Sequence, residues 1–309
     1  MALVLNTPIL FVIFNRPDRA IRVFEEIKRV KPKYLYIVAD GPRPDKPGEK
    51  ELCEQSQAVV ADIDWDCEFI KDFSSTNLGC SERVYSGINQ ILAKYDRAII
   101  IEDDCLPNQS FFFFCEQMLE KYKNDNKIMM VSGMNWAGEW KADQQDYYFS
   151  ALGGVWGWAT WRRAWELLDP EMKQWKDRET RKKIKEKIGN NKQYWARRYL
   201  FNIGIREKKW EYQWAFFRTF YNGLAIFPSR NLIANIGFGP EATHTKTLMP
   251  QIEKLERQEL NFPLKNNGNL VVDKEYDKII FSIMHSEFNH SWPVIFLIKI
   301  WRRIISKLK

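Results

Sequence analysis

Short apolar runs alternate with amphipathic stretches along the first half of the chain. Ile9 to Phe14 is a continuous apolar run and predicts a buried strand. Asn15-Arg16-Pro17-Asp18 then reads as a helix start, with Pro17 in the first turn. That helix is expected to run to about Val30, with Ala20, Ile21, Phe24 and Ile27 on its apolar face. Tyr34 to Ala39 predicts a second strand, ending at Asp40-Gly41-Pro42. Glu49 to Ile63 reads as helix and Cys67 to Lys71 as a short strand. Asn77-Leu78-Gly79 reads as a loop, and Ser81 to Lys94 as a helix capped by Ser81. Arg97 to Ile101 is again a buried strand. Strands alternating with helices at this pitch predict an α/β fold built on a doubly wound, mostly parallel sheet. Ligands of such sheets sit beyond the carboxyl ends of the strands.

The second half is less regular. Ser110 to Lys123 predicts a helix, Ile128 to Val131 a strand, and Trp136 to Asp146 a polar, tryptophan-containing loop. Tyr147 to Ser150 fits a strand, and Gly153 to Trp165 is dense in glycine and tryptophan. Glu171 to Lys192 is highly charged and fits an exposed helical excursion. Tyr221 to Phe227 leads into Pro228, Asn231 and a loop, Gly237-Phe238-Gly239-Pro240. No internal repeat and no low-complexity linker interrupts the chain.

The strand at Arg97 to Ile101 ends in three adjacent acids, Glu102, Asp103 and Asp104. Adjacent carboxylates repel one another unless solvent or a cation offsets their charge. Mg²⁺ or Mn²⁺ takes oxygen ligands and completes its shell with substrate phosphates. The triplet is therefore a candidate site for a metal-bound nucleoside diphosphate. The plainer reading is a solvated acidic turn.

Composition narrows the class. The chain has 309 residues, 45% hydrophobic and 15% aromatic, which supports a sizeable core and excludes a disordered chain. Five cysteines form no CxxC pair, so neither a zinc framework nor a disulfide scaffold is expected, and a reducing cytoplasm is. No signal peptide is read at the N-terminus, and no uncharged apolar run reaches the ~18–20 residues of a membrane span. The net charge of +7 is concentrated between Lys173 and Lys192 and in the last eleven residues. No helix-turn-helix, RNP-type or zinc-finger pattern accompanies these basic stretches, so nucleic acid is not expected as a partner.

From about Ile9 to Thr245 the chain resembles the GT-A glycosyltransferases. It is most similar to N-acetylglucosaminyltransferase I and to bacterial family 2-like sugar transferases. The resemblance rests on the order of individually weak motifs. Val12-Ile13-Phe14-Asn15-Arg16-Pro17 resembles the nucleotide-binding opening, Asn77-Leu78-Gly79 a loop common in these enzymes, and Glu102-Asp103-Asp104 their acidic motif. The resemblance implies donor contacts from Phe14, Asn15, Arg16, Asp40, Asn77, Glu102 and Asp103, with Asp40 at the uracil ring and Asp104 as the direct metal ligand. Gly153 to Trp165 is similar to the acceptor floor, and the resemblance implies an acceptor side built from Trp156, Trp158 and Trp210. Trp210-Glu211-Tyr212-Gln213-Trp214 is similar to the segment carrying the catalytic base. There Glu211 stands where the family usually shows aspartate. Phe238-Gly239 to His244 is similar to a loop that closes over the nucleotide sugar, with His244 at the diphosphate.

Together these imply an inverting transferase dependent on Mn²⁺ or Mg²⁺. It would move a sugar from a nucleoside-diphosphate donor, a UDP-sugar for preference, to a hydroxyl of a glycan. Asp104 would hold the metal that neutralises the leaving diphosphate, and Glu211 would take the acceptor proton. The loop from Gly237 to Thr247 would exclude water, with Gly237 and Gly239 as flexible points. Plainer readings stand beside these roles. Asp40 also reads as a turn residue, Glu211 as a surface carboxylate, and Trp156, Trp158 and Trp161 as core. A sugar nucleotidyltransferase is the enzymatic alternative, although it would carry a glycine-rich basic loop where Asn15-Arg16-Pro17 stands. A non-catalytic, membrane-associated sugar-binding protein with a degenerate transferase fold is the other.

The expected organisation is a catalytic domain over 1–250, a C-terminal extension over 251–290, and a basic amphipathic helix over 291–309. Within the catalytic domain, 1–131 would bind nucleotide and 132–250 would carry the acceptor side. In the final helix, Val294, Ile295, Leu297, Ile298, Trp301, Ile304, Ile305 and Leu308 oppose Lys299, Arg302, Arg303 and Lys307. Such a helix suits an anionic membrane surface. A cytoplasmic enzyme on the inner face of the plasma membrane follows, acting on lipid-linked glycan or lipopolysaccharide intermediates in surface-polysaccharide assembly. The plainer reading packs that helix on the domain.

Overall fold

The computed structural model describes residues 5–61, 63–238, 252, 255–265 and 270–284. An eight-stranded sheet runs through it in the order β3-β2-β1-β4-β8-β6-β9-β7. Its strands are β1 (Ile9–Ile13), β2 (Tyr34–Ala39), β3 (Glu68–Phe73), β4 (Arg97–Glu102), β6 (Ile128–Ser132), β7 (Tyr147–Ser150), β8 (Trp158–Trp161) and β9 (Leu224–Pro228). A small antiparallel pair lies outside it, β5 (Cys105–Pro107) with β10 (Ile233–Asn235). Only β8 and β7 run against the other strands of the large sheet. This is the mostly parallel, Rossmann-like α/β architecture expected from the sequence.

Every residue of β1 is buried, as is Ala98 to Ile101 of β4, which is why these strands read as unbroken apolar runs rather than alternating ones. The helix α1 (Pro17–Val30) packs beside α2 (Glu49–Val59) and α4 (Gln109–Lys121). The crossover through α3 (Cys80–Lys94) returns from β3 to β4 and covers the other face, as right-handed connections require. α3 packs there with α5 (Arg162–Trp165) and α9 (Trp210–Tyr221).

Three details depart from the sequence reading. In α1 the buried stripe is Ala20, Val23, Phe24, Ile27 and Val30, while Ile21 is 48% exposed. Ser81 does not cap α3. Gly79 is the capping residue, at φ 86°, and the Ser81 hydroxyl instead bonds Lys208 O and Trp210 N. The glycine- and tryptophan-rich stretch contains β8, which lies inside the sheet between β4 and β6. The charged excursion is helical as expected, in α6 (Lys173–Lys176), α7 (Arg178–Ile188) and the start of α8 (Asn191–Arg206), and Trp175, Ile184 and Phe201 tie these helices to the core. Near the described C-terminus, α10 (Lys274–Met284) buries Tyr276 and bonds β7 through Asp277 and Ser150. The expected helix over 291–309 lies outside the described residues. Among the described residues no helix is long and apolar enough to cross a membrane.

Candidate active site

The strand registers bring the expected nucleotide-binding residues to one edge. Ile13 pairs with Ala39, Ala39 with Phe73, and Val12 with Glu102. Phe14, Asp40 and the acidic triplet therefore follow at neighbouring carboxyl ends. Burial of the strands up to these positions makes the edge a fixed platform for polar groups.

Asp103 is 2% exposed, whereas Glu102 and Asp104 are half-buried. Burial pushes both the Glu102 and Asp103 carboxyls above the usual carboxylate range. The neighbouring acids push Glu102 further, while Arg16 opposes the shift at Asp103. The amide of Phe14 donates to Asp103 at 3.3 Å. Arg16 grips two of the acids, with Nη2 2.9 Å from Asp103 Oδ1 and Nη1 2.9 Å from Asp104 Oδ2. The β5–β10 pair closes over Asp104. Ile236 N donates to Asp104 O at 2.8 Å, and Gly237 N donates to Asn235 Oδ1 at 2.8 Å. A methyl group on Gly237 would lie 2.5 Å from Asp104 Oδ2. Gly237 is therefore required for close approach to a carboxylate, and is buried rather than a flexible point.

Asp40 is saturated by its own surroundings. It accepts from Gly41 N, Leu78 N, Gly79 N and Asn77 Nδ2 at 2.8–3.0 Å. A carboxylate offers about four lone-pair positions, so these donors use its capacity. Asp40 and Asn77 thus clamp the end of β2 to the start of α3. Asn15 donates to Glu49 at 2.9 Å, and Glu49 also pairs with Arg43, whose guanidinium faces the Phe14 ring at 5.7 Å. Arg43 and Glu49 were not legible as site residues, because nothing local marks a polar loop and a helix start as partners of β1.

Glu211 lies on the first turn of α9 and is half-buried; burial raises its carboxyl above the ordinary range. Its charge reaches Glu102, and Cys80 at the start of α3 feels Glu102, Glu211 and Asp104 alike. The first turn of α9, which carries Glu211, meets α3 where the Trp210 amide donates to the Ser81 hydroxyl at 3.1 Å.

The tryptophans divide. Trp158 has no exposed surface and Trp210 is 4% exposed, so neither can stack on an acceptor sugar. They stack on each other at 5.7 Å and join Trp165 and Trp214 in a buried core beneath Glu211. Trp156 is half-buried, 5.1 Å from Trp136 and 5.8 Å from Phe238, the residue after Gly237. The aromatic wall beside Asp104 is thus Trp156 with Phe238, backed by Trp136, which the sequence placed in a polar loop. His244 and Gly239 lie outside the described residues.

Among the described residues no group of three or more His, Cys, Asp or Glu side chains is arranged to hold a metal ion by itself. Hard carboxylate oxygens at Asp103 and Asp104 nevertheless suit Mg²⁺ or Mn²⁺ held by one or two carboxylates and completed by a diphosphate. The donor set fits a metal shared with substrate.

No protein-family model matches the chain, and no curated protein does. Solved structures similar to it include a mannosyltransferase from Pyrobaculum calidifontis in complex with GDP-Man and Mn²⁺. That likeness has 12% identity over 53% of this chain and 46% of the other, with a TM-score of 0.34. Mouse xyloside xylosyltransferase 1 shows 10% identity over 52% and 69%, with a TM-score of 0.32. The 4-diphosphocytidyl-2C-methyl-D-erythritol synthase of Anaerococcus prevotii shows 10% over 52% and 73%, with a TM-score of 0.31. The chain spans 46% of the length of the mannosyltransferase. At these values the likeness passes on no activity.

Proposed function

We propose that the chain is a metal-dependent, inverting glycosyltransferase of GT-A type that uses a nucleoside-diphosphate sugar, with UDP as the preferred nucleotide. The observation that carries this reading is the acidic pair Asp103 and Asp104, held by Arg16 at the carboxyl edge of a mostly parallel sheet. A divalent cation shared by Asp104 and the diphosphate would supply Lewis-acid stabilisation of the leaving group.

The chain's own residues do the rest. Asp40 and Asn77 hold the loop before α3 so that its backbone frames the nucleotide. Arg16 brings a fixed positive charge to the phosphate side. Glu211, its carboxyl raised by burial, is the base offered to the proton of an acceptor hydroxyl. Trp156 and Phe238 offer an apolar wall for a sugar face. One base and direct displacement invert the anomeric centre. The basic, apolar sequence of 291–309 supports an anionic membrane surface as the place of action, with a lipid-linked glycan of bacterial surface-polysaccharide assembly as acceptor. The catalytic domain over 1–250 and the extension over 251–290 belong to the same proposal.

The test is incubation of the full chain with Mn²⁺ and a panel of nucleotide sugars, with the product anomer read by NMR. Release of nucleoside diphosphate with an inverted anomer is expected. Pyrophosphate release from a nucleoside triphosphate and a sugar phosphate would make the chain a nucleotidyltransferase instead.

A further inference from the structure

Arg16 already stands where a cation is wanted. Its guanidinium bridges Asp103 and Asp104 at 2.9 Å each, and arginine stays charged at any working pH. The two carboxylates differ in access: the Asp103 side chain is 3% exposed and that of Asp104 20%. Arg16 Nε and Arg19 Nη1, one turn apart at the start of α1, are buried without a hydrogen-bond partner among the described residues. The α1 backbone holds Arg16 in place, since its carbonyl accepts from Arg19 N at 3.1 Å and Ala20 N at 2.9 Å.

We propose that Arg16 is the resting counter-ion of the acidic pair and keeps it closed to a free divalent cation until a nucleoside diphosphate draws the guanidinium off Asp104. This rests on the reading of Asp104 as a metal ligand. A free cation would have to displace the charge-assisted hydrogen bond that Arg16 makes to Asp104. A diphosphate changes the balance. Its oxygens satisfy the idle donors of Arg16 and Arg19, Nη2 can remain on the closed Asp103, and the open Asp104 is freed. Nucleotide binding thus precedes or accompanies metal binding, and the trigger is competition between anions rather than protonation.

The experiment is Mn²⁺ titration by electron paramagnetic resonance on the full chain, without nucleotide and with UDP. Wild type is expected to bind Mn²⁺ poorly alone, and with UDP to bind it more tightly than free UDP does. Arg16→Met is expected to bind Mn²⁺ alone at least about tenfold more tightly than wild type, and to lose most of the effect of UDP. Arg16→Lys, which cannot bridge both carboxylates, is expected to fall between them. Wild type binding Mn²⁺ alone as tightly as with UDP would overturn the inference without any variant. Nucleotide-free affinity unchanged in both variants, with UDP still enhancing wild type, would overturn the role of Arg16 and leave Asp104 as ligand. Absence of Mn²⁺ binding by wild type under both conditions would overturn both.

Discussion

Glu211 is the residue whose surroundings most directly predict a rate. Burial raises its carboxyl above the ordinary range, and a base must be ionised to accept a proton. Transfer is therefore expected to rise with pH through that raised value and to level off above it. An unperturbed glutamate would place the rising limb near pH ~4.3. Glu211→Gln is expected to remove the limb and lower transfer by about 10²-fold, with UDP affinity nearly unchanged. A pH–rate profile of both proteins checks this; turnover within a few-fold of wild type would make Glu211 structural. At this scale the triplet was legible because three acids ending an apolar run are conspicuous. The grip of Arg16 on Asp104 was not, since the two lie 88 residues apart and only the fold joins them. Trp158 and Trp210 were misleading for a related reason: the sequence does not distinguish a tryptophan that stacks on sugar from one that stacks on tryptophan.

Among the elements, the short β5–β10 pair sets the position of Asp104. Ile236 bonds its carbonyl, and Gly237 packs against its carboxylate with no room for a side-chain carbon. Gly237→Ala is expected to displace Asp104 and weaken Mn²⁺-dependent UDP binding by about tenfold or more, while metal-free UDP binding changes little. Calorimetry with and without Mn²⁺ checks it, and equal enhancement in the variant would show that the contact is dispensable. Strands β1, β2 and β4 were readable because each is a largely buried apolar run set off by helix signals, whereas β3 has no buried residue and was read from its place between helices. β8 was not readable. It is only Trp158–Trp161, and a short buried aromatic run without alternation carries no period that separates strand from turn. Likewise, Ser81 is an apt capping residue by type, yet Gly79, one position before the helix, takes the positive-φ extended backbone that starts α3 and that glycine alone adopts without strain.

For the whole molecule, the sheet order places every parallel strand's carboxyl end on the side of the acidic triplet, which is why alternation alone pointed to the right edge. The charge of the molecule points elsewhere, to the basic final eleven residues. Removing 290–309 is expected to abolish binding to anionic vesicles, and added salt is expected to weaken binding of the full chain. Co-sedimentation at low and high ionic strength checks this, and equal binding by both forms would make the segment part of the fold. The central claim is narrower than the membrane question: Asp104 carries a divalent cation for a nucleoside diphosphate. Calorimetry of UDP binding to wild type and Asp104→Ala, each with and without Mn²⁺, tests it most directly. The account predicts that Mn²⁺ tightens UDP binding to wild type and has no such effect on Asp104→Ala; the same Mn²⁺ enhancement in both proteins would contradict it.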